Sequence, residues 1–186
     1  MKRRTFIAGL GSVAAWPLEA RAQQGDRVRR IGVLMQGDET DPEMNLRISA
    51  FTQALAGLGW TDDRNVRTDL RWGRGDINRI RALAQELVGL QPDIILTSAS
   101  PTTAALQRET RTIPIVMVAV GDPVGSGLVA GLNRPGGNIT GFGLYEASMV
   151  GKWLELLSEI APGLKRAAIM FNPDTARGIV GSLHGE

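Results

Sequence analysis

Hydrophobic positions along this chain fall into two alternating patterns. Between short apolar runs, apolar residues recur three and four positions apart, as in Ile48, Phe51 and Leu55, which predicts helices with one buried face. The apolar runs themselves are rich in β-branched residues and predict strands at 31–35, 66–71, 94–97, 115–118, 139–142 and 167–171. Alternation at this spacing predicts a doubly wound α/β fold, in which helices cover both faces of a parallel sheet.

The first 22 residues have a different pattern. A cationic start, Lys2-Arg3-Arg4, is followed by a short apolar segment at 8–16 and by the small-residue site Ala-Arg-Ala at 20–22. This order is typical of a cleavable export signal, and the paired arginines favour the twin-arginine route. The segment is too short to span a bilayer, which takes roughly 20 apolar residues. We therefore predict a mature protein that begins at Gln23 and is soluble in the periplasm.

Removing this segment changes the charge balance. The whole chain has 21 Lys and Arg against 19 Asp and Glu, and residues 1–22 hold four of the former and one of the latter, which leaves 17 against 18. A nucleic-acid partner is therefore not indicated. The absence of cysteine excludes disulfides, thiolate catalysis and cysteine metal sites, and we expect no cofactor. The length predicts one α/β lobe over 23–143 and the beginning of an incomplete second lobe over 144–186.

Ligands of open parallel sheets bind beyond the carboxyl ends of the strands. Gln36 follows the first predicted strand and Tyr145 follows the fifth. Ser100, Thr102 and Thr103 follow the third, where Ser100 is placed to cap a helix that opens with Pro101. Hydroxyls beside the free N–H groups of a helix start suit a carboxylate. The alternative is that Ser100 caps the helix and has no other role.

Asp122 follows the fourth predicted strand and precedes a proline. It either caps a helix predicted over 124–132 or receives the amino group of a zwitterionic ligand whose carboxylate lies at 100–103. The residues leave both possibilities open.

Several catalytic arrangements are missing from the chain. Its only histidine is His184, so a Ser-His-Asp triad has no base within the predicted core. No glycine-rich phosphate loop follows a predicted strand, and the acidic pairs lack the spacing of a calcium loop.

Several segments together resemble one family. They are Ala-Ala-Trp-Pro-Leu at 14–18, Ala-Arg-Ala-Gln-Gln at 20–24, Ile-Gly-Val-Leu at 31–34, Ile-Pro-Ile-Val at 113–116, Gly-Asp-Pro-Val at 121–124, Gly-Leu-Val at 127–129, Leu-Asn-Arg-Pro-Gly-Gly-Asn-Ile-Thr-Gly at 132–141 and Lys-Trp-Leu-Glu-Leu-Leu at 152–157. The run at 133–138 is the most specific. The chain resembles the substrate-binding proteins of ABC transporters, in the group that includes tryptophan- and tyrosine-binding members.

The resemblance implies a periplasmic binding protein of type I, with two α/β lobes that close on a small ligand and then dock on an ABC permease in the inner membrane. It places ligand contacts on Gln36, on Ser100, Thr102 and Thr103, and on the Gly-Asp-Pro element that contains Asp122. The ligand would be an amino acid or a similar carboxylate. Such relatives have roughly twice the mature length, as two ordinary domains require, so we predict a truncated copy in which the apolar face of a helix over 150–161 is exposed.

Two other functions fit a sheet of this type. An exported hydrolase could use Ser98 or Ser100, but it needs a general base within hydrogen-bond reach, and the chain offers only carboxylates or lysines near the core. A periplasmic sensory domain could use the same lobe to bind a ligand without transport.

Overall fold

The computed structural model describes residues 27–145 and 148–170. The predicted export signal and His184 lie outside these ranges. In these ranges there are five strands and four helices, which alternate except that β5 follows β4 without a helix between them. They are β1 (Arg29–Met35), α1 (Pro42–Gly57), β2 (Val66–Trp72), α2 (Ile77–Gly89), β3 (Ile94–Ser98), α3 (Ser100–Glu109), β4 (Ile115–Gly121), β5 (Ile139–Tyr145) and α4 (Ser148–Ile160).

The strands form one sheet in the order β2-β1-β3-β4-β5, and every pair is parallel. This confirms the predicted α/β fold class. All five strands overlap predicted strands, and each extends beyond the predicted bounds by one to three residues. Because the strands are parallel, their carboxyl ends meet at one edge of the sheet.

Gly141 allows the outer strand β5 to pair with β4. Gly141 pairs with Met117, and a Cβ at position 141 would lie 1.9 Å from the carbonyl oxygen of Met117. Only glycine fits there, and its φ of 142° also disfavours other residues. Beyond this pair the register shifts, and Ala119 in the shifted segment adopts a φ of 55°. The end of β4 is therefore irregular where it reaches the carboxyl edge.

The two faces of the sheet are covered unequally. Helices α2 and α3 pack on one face, where Leu34, Ile95 and Ile115 form part of the larger hydrophobic core. Of the described helices, only α1 packs on the other face, against a smaller core of Ile31, Val33, Met35 and Val66. Helix α1 has no fully buried residue, so its contact with the sheet is loose.

Two predicted elements differ from the structure. Residues 124–132 form turns, and Leu128 and Val129 from this segment fill the core beside α3. Three glycines in the segment lower its helix propensity, so apolar burial is achieved without a helix. Residues 167–170 are described and form no strand. A strand needs a neighbour for its backbone groups, and no described strand lies beside this segment.

The Asn-Arg-Pro-Gly-Gly-Asn segment leads into the amino end of β5. The side-chain amide of Asn138 donates to the carbonyl of Ile113 at 2.7 Å, and the carbonyl of Asn138 accepts from the N–H of Ile115 at 2.8 Å. The segment therefore fixes the start of β5 against β4, at the edge of the sheet opposite the carboxyl ends.

An ion pair joins Arg30 of β1 to Asp69 of the neighbouring strand β2. The Arg30 Nε donates to Asp69 Oδ2 at 2.5 Å, and Arg30 Nη1 donates to the carbonyl of Leu90 at 3.1 Å. The hydrogen bond from Arg30 lowers the pKa of Asp69 more than burial raises it, and the nearby charges of Arg30 and Arg67 act in the same direction. Asp69 thus remains ionised in the folded protein.

This pair predicts a specific loss of stability in acid. A carboxyl whose folded pKa lies below its unfolded pKa stabilises the fold at neutral pH. That contribution is complete above about pH 5 and is lost as the pH falls through the unfolded pKa towards the lower folded one. We expect urea titrations to show Asp69→Asn as less stable than the parent at pH 7, with a smaller further loss between about pH 5 and pH 3.

Asp63→Asn is the matched control, because Asp63 is exposed and belongs to none of the ion pairs among the described residues. It should keep the acid dependence of the parent. Equal acid dependence in all three proteins would mean that the Arg30–Asp69 pair does not couple folding to pH.

Candidate functional site

The carboxyl ends of β1, β3, β4 and β5 enclose a cleft of about 340 Å³. The loop after β1 and the first turn of α1 form one side, and the ends of β3 and β4 form the floor. The lining residues are Gln36, Gly37, Asp38, Met44, Arg47, Arg74, Gly75, Ser98, Ala99, Ala119 and Leu144. This is where an open parallel sheet binds ligands.

The charges beside the cleft are internally paired. Arg47 donates to Glu43 one helical turn away, and Arg74 donates to Glu39 and lies 3.4 Å from Asp38. Hydrogen bonds from the N–H and hydroxyl of Thr40 lower the pKa of Asp38, and the charge of Arg74 adds to this effect. The arginines are therefore partly neutralised, so an anion in the cleft needs further donors.

Ser98 provides one such donor. Its side chain lies at the end of β3, is 4% exposed and lines the cleft. The Oγ accepts the backbone N–H of Gln36 at 3.4 Å, and among the described residues its own O–H has no acceptor. Because a buried hydroxyl gains free energy when its proton is bonded, Ser98 is suited to donate to a ligand oxygen.

Helix α3 begins one residue earlier than the sequence predicted. Ala99 occupies the N-cap position, Ser100 is the first helical residue, and no side chain caps the helix. The predicted cap by Ser100 is therefore wrong. The cause is local: Pro101 fits either of the first two helical positions, so the proline alone does not fix where the helix starts. The N–H groups of Ser100 and Thr102 consequently have no protein acceptor in the described ranges.

Thr102 and Thr103 are fully buried in the first turn of α3. The hydroxyl of Thr102 donates to the carbonyls of Ser98 and Ala99, and that of Thr103 donates to the carbonyl of Ala99 at 2.8 Å. Both hydroxyls thus hold the strand-to-helix turn in place. Their place in ligand binding stays a prediction.

The structure brings together only part of the predicted site. Gln36 lines the cleft, whereas Ser100 lines a separate groove between α2 and α3. The Oδ1 of Asp122 accepts the N–H of Gly125 at 2.9 Å, so Asp122 caps a turn in place of the predicted helix. Tyr145 ends β5, and its side chain lies outside the described part of the chain.

Several residues at this edge of the sheet have strained backbone. Ala99, Ala119 and Asp122 have φ angles of 73°, 55° and 40°, all in the region that favours glycine, and Asp63 and Gln91 at the opposite edge share such φ angles. Such conformations cost of order 1–3 kcal/mol each and occur most often at binding and active sites. In the described ranges, no group of three or more His, Cys, Asp or Glu side chains could hold a metal ion, and no helix is long and apolar enough to cross a membrane.

Comparison with known proteins identifies the family. Residues 33–181 match the sequence profile described as ABC transporter substrate binding protein. The chain belongs to this family.

Three relatives illustrate the similarity. A tyrosine-binding protein of Clostridioides difficile (strain R20291) is 32% identical over 131 residues, which cover 70% of this chain and 37% of the relative. A conserved domain protein of Vibrio cholerae is 30% identical, with a TM-score of 0.71 over 85% of this chain and 51% of that structure. A domain from Streptococcus pneumoniae in complex with L-Trp is 32% identical, with a TM-score of 0.57 over 62% and 38%.

The chain therefore has the lobe architecture of a periplasmic binding protein, as the resemblance predicted. It spans about half the length of the Vibrio structure and less of the other two relatives. The family is described as one of substrate-binding proteins, and none of these three relatives is named as an enzyme.

The cleft is also lined by residues for which the sequence predicts no ligand contact. The sequence suggests Ser98 as the nucleophile of a hydrolase and gives no ligand role to Arg47 or Arg74. Gln36 and Ser98 are 62 positions apart and meet only because β1 pairs with β3. Once that pairing is known, a serine at the last position of a buried strand can be recognised as a residue that lines the cleft.

The strained backbone of Ala99 leads to a stability prediction. Its φ of 73° and ψ of 161° lie in a region that is essentially restricted to glycine. We expect Ala99→Gly to stabilise the protein by about 1 kcal/mol in urea titrations, because relieved strain exceeds the added entropy of the unfolded chain. The matched control is Ala104→Gly within α3, which should destabilise by about 1 kcal/mol. A destabilised Ala99→Gly protein would contradict strain at this residue.

Proposed function

We propose that this chain is the ligand-binding component of an ABC import system, and that its cleft binds the carboxylate of an aromatic amino acid. The observation that carries this proposal is the buried hydroxyl of Ser98, which lines the cleft and has no acceptor among the described residues. A ligand carboxylate supplies that acceptor. The first turn of α3 follows directly and adds the uncapped N–H groups of Ser100 and Thr102.

The electrostatics of the helix start support an anionic group. Aligned peptide dipoles give the amino end of a helix a partial positive charge, and α3 has ten residues and no acidic side chain in its first turn. Arg47 and Arg74 stand at the rim, where their paired carboxylates limit their attraction for the ligand. We infer that the carboxylate is held mainly by Ser98 and the backbone, and that Gln36 positions the Ser98 hydroxyl.

An apolar surface adjoins the polar end of the cleft. Phe51, Phe142 and Leu144 line a depression that continues from the cleft and shares Ser98 with it. An aromatic side chain next to a bound carboxylate fits this surface by burying apolar area. The names of two relatives, a tyrosine-binding protein and a domain in complex with L-Trp, favour the same class of ligand.

In this proposal the chain acts in the periplasm. Hinge closure of a second lobe over the ligand produces the form that docks on the permease in the inner membrane, because the ligand binds the closed state more tightly. The hydrolase alternative receives no support from the site, since Ser98 Oγ contacts only a backbone N–H among the described residues.

Calorimetry and thermal-shift measurements test the carboxylate site. L-tyrosine or L-tryptophan should raise the melting temperature, and tyramine and tryptamine, which lack the carboxylate, should not. Ser98→Ala should weaken amino-acid binding roughly 10- to 100-fold, because it removes a hydrogen bond to a charged group worth about 1.5–3 kcal/mol.

Ser126→Ala is the matched control, because Ser126 lies in the groove between α2 and α3. It should bind like the parent. The same titrations on a version completed with the second lobe of a relative should show tighter binding with the same order of ligands. Equal affinity of parent and Ser98→Ala in both formats would reject the assigned carboxylate site.

A second prediction separates the two roles of Asp122. If Asp122 receives the ligand ammonium, Asp122→Asn should weaken L-tyrosine binding and leave binding of 3-(4-hydroxyphenyl)propionate, which lacks the ammonium, unchanged. The asparagine Oδ1 can still accept the N–H of Gly125, so the turn should persist. An equal change in affinity for both ligands would assign Asp122 a structural role only.

A further inference from the structure

Arg47 lies where the polar cleft meets the apolar depression beside it. The two spaces share four lining residues, and three of them, Ser98, Ala119 and Leu144, belong to strands of the sheet. Arg47 is the fourth and belongs to α1. A ligand that extends from the cleft into the depression therefore passes between Arg47 and the sheet.

The depression combines an apolar lining with a single charge. Its volume is about 490 Å³, and Arg47 is the only charged side chain among the described residues that line it. A cation beside an apolar space favours a group that is apolar and still attracts positive charge. The face of an aromatic ring has both properties, because its π-electrons give it a partial negative charge. An aliphatic side chain has only the first.

The guanidinium of Arg47 is held at its edge by Glu43. Arg47 Nη2 donates to Glu43 Oε1 at 2.5 Å, and within the described ranges the guanidinium makes no other hydrogen bond or ion pair. Glu43 does not line the depression, so the pair anchors the guanidinium from outside that space. A hydrogen bond lies in the plane of a guanidinium and leaves its faces available for stacking on a ring.

We propose that Arg47 selects aromatic over aliphatic amino acids by stacking its guanidinium on the ring of the bound ligand. This inference rests on the proposed function and adds the residue that decides which side chain is accepted. Apolar burial alone does not make that choice, because its free energy follows the buried area and a saturated ring buries as much area as an aromatic one. A cation–π contact depends on the charge distribution of the ring and so distinguishes the two.

The other arginine of the cleft has a different position. Arg74 lines the cleft and not the depression, and it forms ion pairs with both Asp38 and Glu39. Its charge is therefore offset by two carboxylates on the polar side of the site. Ring recognition is accordingly assigned to Arg47 alone. The competing role for Arg47 is a contact with the ligand carboxylate, and the experiment below separates the two roles.

Calorimetric titrations with two amino acids of matched shape test the proposal. L-phenylalanine and L-cyclohexylalanine have the same carboxylate, ammonium and ring size, and only the first has an aromatic ring. The parent should bind L-phenylalanine roughly 3- to 10-fold more tightly, although cyclohexylalanine is the more hydrophobic. Arg47→Met keeps an unbranched side chain and removes the charge, so it should lose this preference. L-pentafluorophenylalanine, whose ring face is depleted of electrons, should bind the parent more weakly than L-phenylalanine does.

Arg81→Met is the matched control, because Arg81 is an exposed arginine of α2 that lines the groove between α2 and α3. It should keep the preference of the parent. Equal affinity of the parent for the two amino acids, or a preference that persists in Arg47→Met, would overturn the proposal. An equal loss of affinity for both amino acids in Arg47→Met would also overturn it and assign Arg47 to the carboxylate. Failure of the proposed function has a different signature, which is that the parent binds neither L-tyrosine nor L-tryptophan.

Discussion

A parallel sheet must bury apolar side chains on both of its faces, and the arrangement of this chain depends on that requirement. One face meets it with α2, α3 and the inserted residues Leu128 and Val129. Within the described part of the chain, the other face meets it only beside α1. The hydrophobic effect is proportional to the area removed from water, so the first face supplies most of the stability and the second leaves apolar area to be covered by something else. The same parallel pairing brings four strand ends together and so creates the cleft.

The two edges of the sheet have different roles. At the edge where β5 begins, Asn138 and the segment before it tie that strand to β4 through hydrogen bonds. At the carboxyl edge, Ala99, Ala119 and Asp122 adopt backbone conformations that favour glycine, and the Ser98 O–H has no acceptor among the described residues. The segment that is most specific in the sequence therefore stabilises the fold, whereas the proposed ligand contacts lie at the opposite edge. A specific motif identifies the family here without identifying the ligand.

Hydrophobic periodicity predicted the fold well because each strand and helix is specified by local residues. It failed where burial is achieved by other means, as at Leu128 and Val129, which fill the core from turns. It also failed at 167–170, where a strand pattern has no neighbour among the described residues. The site was harder to predict than the fold. Ser98 and Ser100 look equivalent in sequence, and only the pairing of β1 with β3 and the start of α3 one residue early direct Ser98 to the cleft and Ser100 to another groove.

The connection from β4 to β5 runs through turns rather than a crossover helix, and both of its ends are anchored. Leu128 and Val129 are buried on one side, Asn138 bonds to the carbonyl of Ile113 on the other, and the residues between them are largely exposed. These contacts therefore hold β5 in the sheet, and an intact chain across 131–137 is not required for it. A protease that cuts there would leave two fragments held together by the β4–β5 ladder and the core. Such a nicked protein would keep its sheet while gaining two new chain ends far from the cleft.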